Sequence, residues 1–307
     1  MSDRKLLITG ASGYLGRHVV EALRSGEKIE IHLAGRKQQP HFGNFLFHSV
    51  DLLELEKGKR LVEEIRPTDL LCLAWCANPK TFWTDPLNET WRDATRELIE
   101  TFHKVGGRHV VVAGSCAEYD WTAGSLFSEE TTPARPATLY GRCKNELRLW
   151  LEQFGAAHGL GWSWGRIFWT YGPGEPPEKL VAYVIQKLLR NEPALLGHCR
   201  AIRDFLDAPD IGRALAFLSA NRCGGIYNIG SGEGIKLRDL VMKIGVALGK
   251  TDLIQFADPP APVDEAPEIV ADVRRLRQAG WQPAYSLDEA LQTTIDWNRR
   301  LINSPAA

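Results

Sequence analysis

Apolar residues along the first half of the chain fall into two textures. Short unbroken runs at Lys5–Thr9, Ile29–Ala34, Asn44–Val50, Asp69–Ala74 and His109–Ala113 have the length of buried strands. Between them, Gly16–Ser25 and Glu56–Ile65, and then the longer Asn88–Val105 and Tyr140–His158, repeat apolar residues at helical spacing. Strands that are apolar throughout need cover on both faces, and strand–helix alternation implies a parallel sheet. The pattern therefore predicts an α/β chain with a doubly wound parallel sheet, the Rossmann architecture. Beyond Gly165 the alternation lapses. Gly172-Pro173-Gly174-Glu175-Pro176-Pro177 and Asp258–Pro267 read as loops. The expected division is a sheet-forming body over residues 1–167 and a smaller portion over residues 168–307, with Ile167 and Ile226–Ile229 apolar enough to return to the sheet.

Composition narrows the class without naming it. With 307 residues, 44% of them hydrophobic and 24% charged, the chain suits an ordinary globular protein with a large core. A formal net charge of -1 supplies no basic field for nucleic acid or an anionic membrane. The amino terminus MSDRKLLITG lacks the features of a secretory signal. No apolar run approaches the roughly 18–20 residues that span a bilayer. Cys72, Cys76, Cys116, Cys143, Cys199 and Cys223 show no disulfide framework, and nothing completes a metal site around the Cys72/Cys76 pair. Reduced thiols and a cytoplasmic location are expected.

Candidate chemistry begins at Thr9-Gly10-Ala11-Ser12-Gly13-Tyr14-Leu15-Gly16, directly after the first strand and opening the first helix. Glycines there allow a tight turn and a close approach of backbone N–H groups to a pyrophosphate, with the helix N-terminus facing the anion. At the first strand-to-helix junction of such a series this G-x-x-G-x-x-G spacing points to a dinucleotide. The second strand runs into Gly35-Arg36-Lys37 rather than a carboxylate. Two cations suit a ribose 2′-phosphate, so NADP(H) is favoured and NAD(H) remains an alternative. The plainer reading makes Arg36 and Lys37 solvated loop charges. Asp51, after the third strand, is placed to receive the adenine amino group.

Tyr140 and Lys144 are four residues apart, which puts a phenol and an ammonium on one helix face. A nearby cation lowers a tyrosine pKa toward the range useful for proton transfer. Ser115 ends the His109–Ala113 run, at the carboxyl edge where doubly wound sheets bind ligands, and its hydroxyl can orient a reacting oxygen toward Tyr140. The alternative is a serine that merely caps a turn.

With these residues placed, the sequence resembles the extended short-chain dehydrogenase/reductase family, in its branch of nucleotide-sugar epimerases, dehydratases and reductases. The resemblance spans nearly the whole chain. It takes in Thr9–Gly16, Asp51-Leu52, Leu73-Ala74, Ser115 with Tyr119, and Tyr140-Gly141-x-x-Lys144. It continues through Arg166 with Tyr171-Gly172-Pro173, Arg203-Asp204-Phe205, Tyr227–Gly232 and Ala279–Pro283. It implies a cofactor lying along Gly10, Ser12, Gly13, Tyr14, Leu15, Gly16, Leu52, Leu73, Ala74 and Trp75, with Lys144 on the nicotinamide ribose. It also implies that Arg203 binds a diphosphate, which makes a nucleotide-linked sugar the expected substrate. A homodimer is implied through the helices Asn88–Val105 and Tyr140–His158.

Departures from the family pattern narrow the reaction. Dehydratases follow the active-site hydroxyl with an Asp-Glu pair, whereas Ser115 is followed by Cys116-Ala117, with Glu118 one place late. The 3,5-epimerising reductases carry a cysteine two places on, where this chain has Ala117; Cys116 is adjacent, but strand alternation aims it elsewhere. Reduction of a 4-keto (6-deoxy) sugar or epimerisation at C4 remains. Arg36-Lys37 tips the expectation to an NADPH-dependent reductase, with an NAD-dependent 4-epimerase as the alternative and a non-catalytic dinucleotide sensor as a further one. Trp75 stands where the family has a small residue, and Trp169 lies in a segment that often presents an asparagine to the substrate. With Phe82, Trp83, Trp121 and Trp162 they read first as packing. Should Trp75 or Trp169 line the site, the sugar is expected to be deoxygenated and apolar on one face.

Overall fold

The computed structural model describes residues 4–24, 29–39, 42–76, 78–257 and 266–303. Ser25, at the expected end of the first helix, and most of the Asp258–Pro267 stretch lie outside the described residues. The first half runs β1 (Lys5–Thr9), α1 (Tyr14–Leu23), β2 (Glu30–Gly35), β3 (Leu46–Ser49), α2 (Leu55–Ile65), β4 (Asp69–Cys72), α3 (Leu87–Lys104), β5 (His109–Ser115), β6 (Leu126–Phe127), α4 (Leu139–His158) and β7 (Gly161–Ile167). The second half adds β8 (Trp169–Tyr171), α5 (Leu180–Leu189), β9 (Ala194–Leu196), β10 (Ile202–Asp207), α6 (Ala208–Ala220), β11 (Gly225–Ile229), β12 (Gly234–Lys236), α7 (Leu237–Leu248), β13 (Ile254–Phe256), β14 (Glu268–Ala271), α8 (Arg274–Gln278) and α9 (Leu287–Asn303).

Seven strands form one parallel sheet in the order β3-β2-β1-β4-β5-β7-β11. The two-residue side-chain period of a strand divides each apolar run between two cores. Leu6, Ile8, Val111 and Ile167 pack with Val19, Ile211 and Leu215, beneath α1 and α6. Leu7, Val110, Val112 and Trp164 pack with Val62, Ile99, Phe102 and Leu147, beneath α2, α3 and α4. Burial on both faces explains why these strands read as continuous hydrophobic runs rather than alternating ones.

A second sheet, β12-β10-β14-β6 with β8 also paired to β10, is drawn mostly from the chain after β7. Its β6 comes from the first half of the chain, while β11 of the second half joins the large sheet. A third core of Val184, Ile185, Leu240, Ile244, Leu291 and Ile295 unites α5, α7 and α9. No described helix is long and apolar enough to cross a membrane.

Candidate active site

Strand order reverses between β1 and β4, and the loops that follow those strands meet at that switch point. The Leu73 and Ala74 amides donate to Thr9 Oγ1 at 3.3 and 3.4 Å. Gly10 adopts φ +73°, and a Cβ there would lie 2.5 Å from the Ala74 nitrogen. Only glycine satisfies both the left-handed backbone and this approach. Gly13 then caps α1 without a side chain, leaving the first amides of the helix facing outward. This is a cradle that suits a dinucleotide pyrophosphate.

A cavity of about 900 Å³ extends from this turn across the sheet edge to Tyr140. Gly10, Ser12, Gly13, Tyr14, Leu15 and Gly16 line one end, together with Arg36, Asp51 and Leu52. Leu73, Ala74 and Trp75 form the middle, and Ser115, Tyr140, Lys144 and Trp169 line the far end. Two predicted contacts stand apart. Lys37 does not line the cavity: β2 ends at Gly35, and of the two cations only Arg36 is turned back toward it. Arg203 is buried behind Trp169, its guanidinium 5.0 Å from the centre of that ring, and does not line the cavity either. It shares a face of β10 with Phe205, which does.

The reacting end is built from three local devices. Ser115 is the last residue of β5 and caps a 3-10 turn over Cys116–Glu118, its Oγ accepting from the Ala117 amide at 3.2 Å. Tyr140 lies in the first turn of α4, capped by Thr138 Oγ1 accepting from the Gly141 amide at 3.1 Å. A Cβ on Gly141 would stand 2.2 Å from the Ala117 carbonyl oxygen, so this glycine lets α4 press onto the Ser115 turn. The Ser115 and Tyr140 side chains are thereby brought to the same end of the cavity. Burial raises the Tyr140 pKa, and the neighbouring Ser115 side chain opposes that rise. Lys144 is buried on the same helix face and donates to the Ala113 carbonyl at 2.7 Å. Desolvation pulls its pKa down to about 7, with the Glu118 carboxylate acting in the opposite sense.

Glu118 has a role that spacing alone does not reveal. It is fully buried, accepting from the Ser115 amide and Trp164 Nε1, each at 2.8 Å, and from Arg166 Nε at 2.9 Å. Its carboxylate is committed to fixing the Ser115 turn rather than to acid–base work in the cavity. The one available signal was the Ser-x-x-Glu spacing of a capping box. Cys116, next to the reacting serine, is buried. The strand ends at Ser115, and the Cys116 side chain packs in a core with Tyr119, Phe127 and Phe168, its thiol pKa raised by desolvation, although the residue borders the cavity.

Aromatic residues wall the substrate end. Phe82 and Trp83 meet the Tyr140 ring edge-on, with centroids 5.2 and 5.8 Å away. Trp121 lies between Trp83 and Trp169, at 6.0 and 5.8 Å, and spends its indole N–H on the Cys116 carbonyl. Trp162 packs into the core beneath α4.

A doubly wound sheet, a glycine turn at its switch point and a Ser–Tyr–Lys set at the adjoining strand end define an oxidoreductase-type enzyme of the extended short-chain dehydrogenase/reductase class. The sequence profile of the NAD dependent epimerase/dehydratase family matches residues 6–230, and the chain belongs to that family. It is 28% identical to a UDP-glucose 4-epimerase of Azospirillum brasilense, covering 98% of this chain and 93% of that protein. It is 27% identical to a dTDP-6-deoxy-L-talose 4-dehydrogenase (NAD(+)) of Aggregatibacter actinomycetemcomitans, over 77% of this chain and 87% of the other. The crystal structure of the Thermus thermophilus UDP-glucose 4-epimerase in complex with NAD superposes with a TM-score of 0.83 at 27% identity, covering 96% of this chain and 99% of that one.

Proposed function

We propose that the chain inverts C4 of a nucleotide-linked sugar by oxidising it to the 4-ketone and reducing it again from the opposite face. The observation that carries this reading is that Ser115, Tyr140 and Lys144 together line the end of a cavity continuous with the glycine turn. The Ser115 hydroxyl would hold the C4 oxygen while Tyr140 takes its proton and later returns it. Lys144, on the same helix face, would stabilise the phenolate when charged. A dinucleotide held along Gly10–Gly16 and Leu73–Trp75 would supply the acceptor and the donor of the C4 hydride. Dehydration would need an acid and a base beside the reacting carbon, and the nearest such carboxylate in sequence, Glu118, is held by Trp164 and Arg166. The full-length relatives named as 4-epimerases weight this reading above the reductase that the sequence alone favoured.

The reductase remains the second reading because of two observations. Burial holds the Tyr140 phenol protonated in the free protein, which suits donation to a ketone. Arg36 lines the cavity at the end of β2, where a 2′-phosphate would meet it. Incubation with NAD and a panel of nucleotide-linked sugars, 6-deoxy sugars beside UDP-glucose and UDP-galactose, should interconvert a pair of C4 epimers without net NADH formation. Net NADPH oxidation with a nucleotide-linked 4-keto-6-deoxy sugar, and no interconversion, would transfer the assignment to the reductase. Tyr140→Phe should cost turnover at least about 100-fold under either reading, while dinucleotide binding persists. Near-normal turnover in that variant would remove Tyr140 from the mechanism.

A further inference from the structure

Trp75 occupies a position where a small side chain was expected, and it is held from two directions. Its Nε1 donates to Asn88 Oδ1 at 2.8 Å. Asn88 is itself fully buried, and its amide donates to the carbonyls of Phe82 and Asp85 at 2.7 and 2.8 Å, so the acceptor cannot turn away. The face of the indole lies over Lys144, with Nζ 3.6 Å from the ring centre. Nζ is thus clamped between the indole and the Ala113 carbonyl. The loop that carries Trp75 also carries Phe82 and Trp83, whose rings pack on Tyr140, and the Trp83 carbonyl accepts from the Tyr140 amide at 3.1 Å.

We propose that Trp75, latched by Asn88, is a positioning residue for Lys144: its indole face fixes the direction of the amine and keeps cavity water off it. The proposal rests on Lys144 belonging to the reacting site, as set out above. The indole acts on the amine in two opposed ways. Excluding water disfavours the charged form, whereas the negative face of the ring favours it. The other titratable groups facing Lys144 are Glu118 from the turn after β5, Cys72 from β4, and Cys143 and Tyr140 from α4.

Substitutions separate the two effects. Trp75→Ala admits water and should raise the Lys144 midpoint by about 1 to 2 pH units. Trp75→Leu keeps the pocket dry but removes the ring face, and should lower it by about half a unit to one unit. Trp75→Phe retains a ring face and should stay within about half a unit of the parent. The readout is the Cε resonance of Lys144 in full-length, carbon-13 lysine-labelled protein without dinucleotide or substrate, assigned with Lys144→Arg. Because the amine is observed directly, a wrong substrate assignment leaves the result unchanged. The substitutions bracket the side-chain volume, so misfolding of one leaves the others to decide. An unmoved midpoint in both the Ala and Leu variants, or movement of both in the same direction, overturns the proposal.

Discussion

Glu175 shows how far a single buried carboxyl can depart from its ordinary state in this cavity. It lies in the Gly172–Pro177 loop, lines the cavity, and accepts from the Ala182 amide at 3.1 Å. The Tyr14 hydroxyl, on a residue lining the same cavity, is buried without a hydrogen-bond partner among the described residues. Burial pushes the Glu175 pKa up from 4.5 to about 8, against the pull of that amide and of Lys179. Between those values the folded chain holds a proton that the unfolded chain has released, so stability falls as pH rises through this window. Glu175→Gln is neutral throughout. Its stability gain over the parent should be near zero at pH 4.5, grow to pH 8 and level off, reaching on the order of a few kcal/mol. Urea melts across that range provide the check, and a pH-independent difference would show that Glu175 is ionised in the folded protein. Arg36 supports a second expectation at this scale. Arg36→Ala should weaken NADPH binding about 10-fold, one charge-assisted contact, and leave NADH unchanged in direct titrations. Equal loss for both dinucleotides would place Arg36 away from the 2′ position.

Elements matter here mainly through how closely they approach. The first turn of α4 bears Tyr140, and it can reach Ser115 because Gly141 has no side chain to meet the Ala117 carbonyl. Gly141→Ala should force α4 off the turn, costing about 1–3 kcal/mol of stability. The displaced phenol should also lower kcat about 100-fold, with dinucleotide affinity largely kept, since Gly10 to Gly16 lie on another element. A variant with parental kcat would mean that α4 and the turn are not in register as described. The Tyr140–Lys144 pair was legible in sequence because helical spacing alone puts both on one face. The glycine turn was legible because it is local. The approach of α4 to β5 was not, since it depends on contacts between segments far apart in the chain. For the same reason the Glu118–Arg166–Trp164 network escaped sequence reading, in which Glu118 counted only as a carboxyl one place too late for a dehydratase pair.

At the scale of the whole molecule, the large sheet was foreshadowed by its buried apolar runs, whereas the second sheet was not. Its β6 has only the residues Leu126 and Phe127, too few to show a period, and it pairs with β14 from the far end of the chain. The remaining question at this scale is what lies against α3 and α4. These helices pack on each other over β4 and β5, and Arg92 of α3 bonds Glu146 of α4 at 2.5 Å. Leu87 and Leu149 nevertheless remain 43% exposed, and Arg96 stacks 5.1 Å from the Trp150 ring centre. A second copy packing the same two helices against these would make a four-helix bundle, the dimer that the family resemblance implies. Such an interface would bear directly on catalysis, because α4 carries Tyr140 and Lys144 at its start. The parent should sediment as a dimer at micromolar concentration. Leu149→Glu should shift it toward monomer by placing a charge where two copies of the helix would meet. It should also lower turnover more than dinucleotide affinity, as α4 loses its support. A parent that sediments as a monomer at that concentration would leave α4 held by the sheet alone.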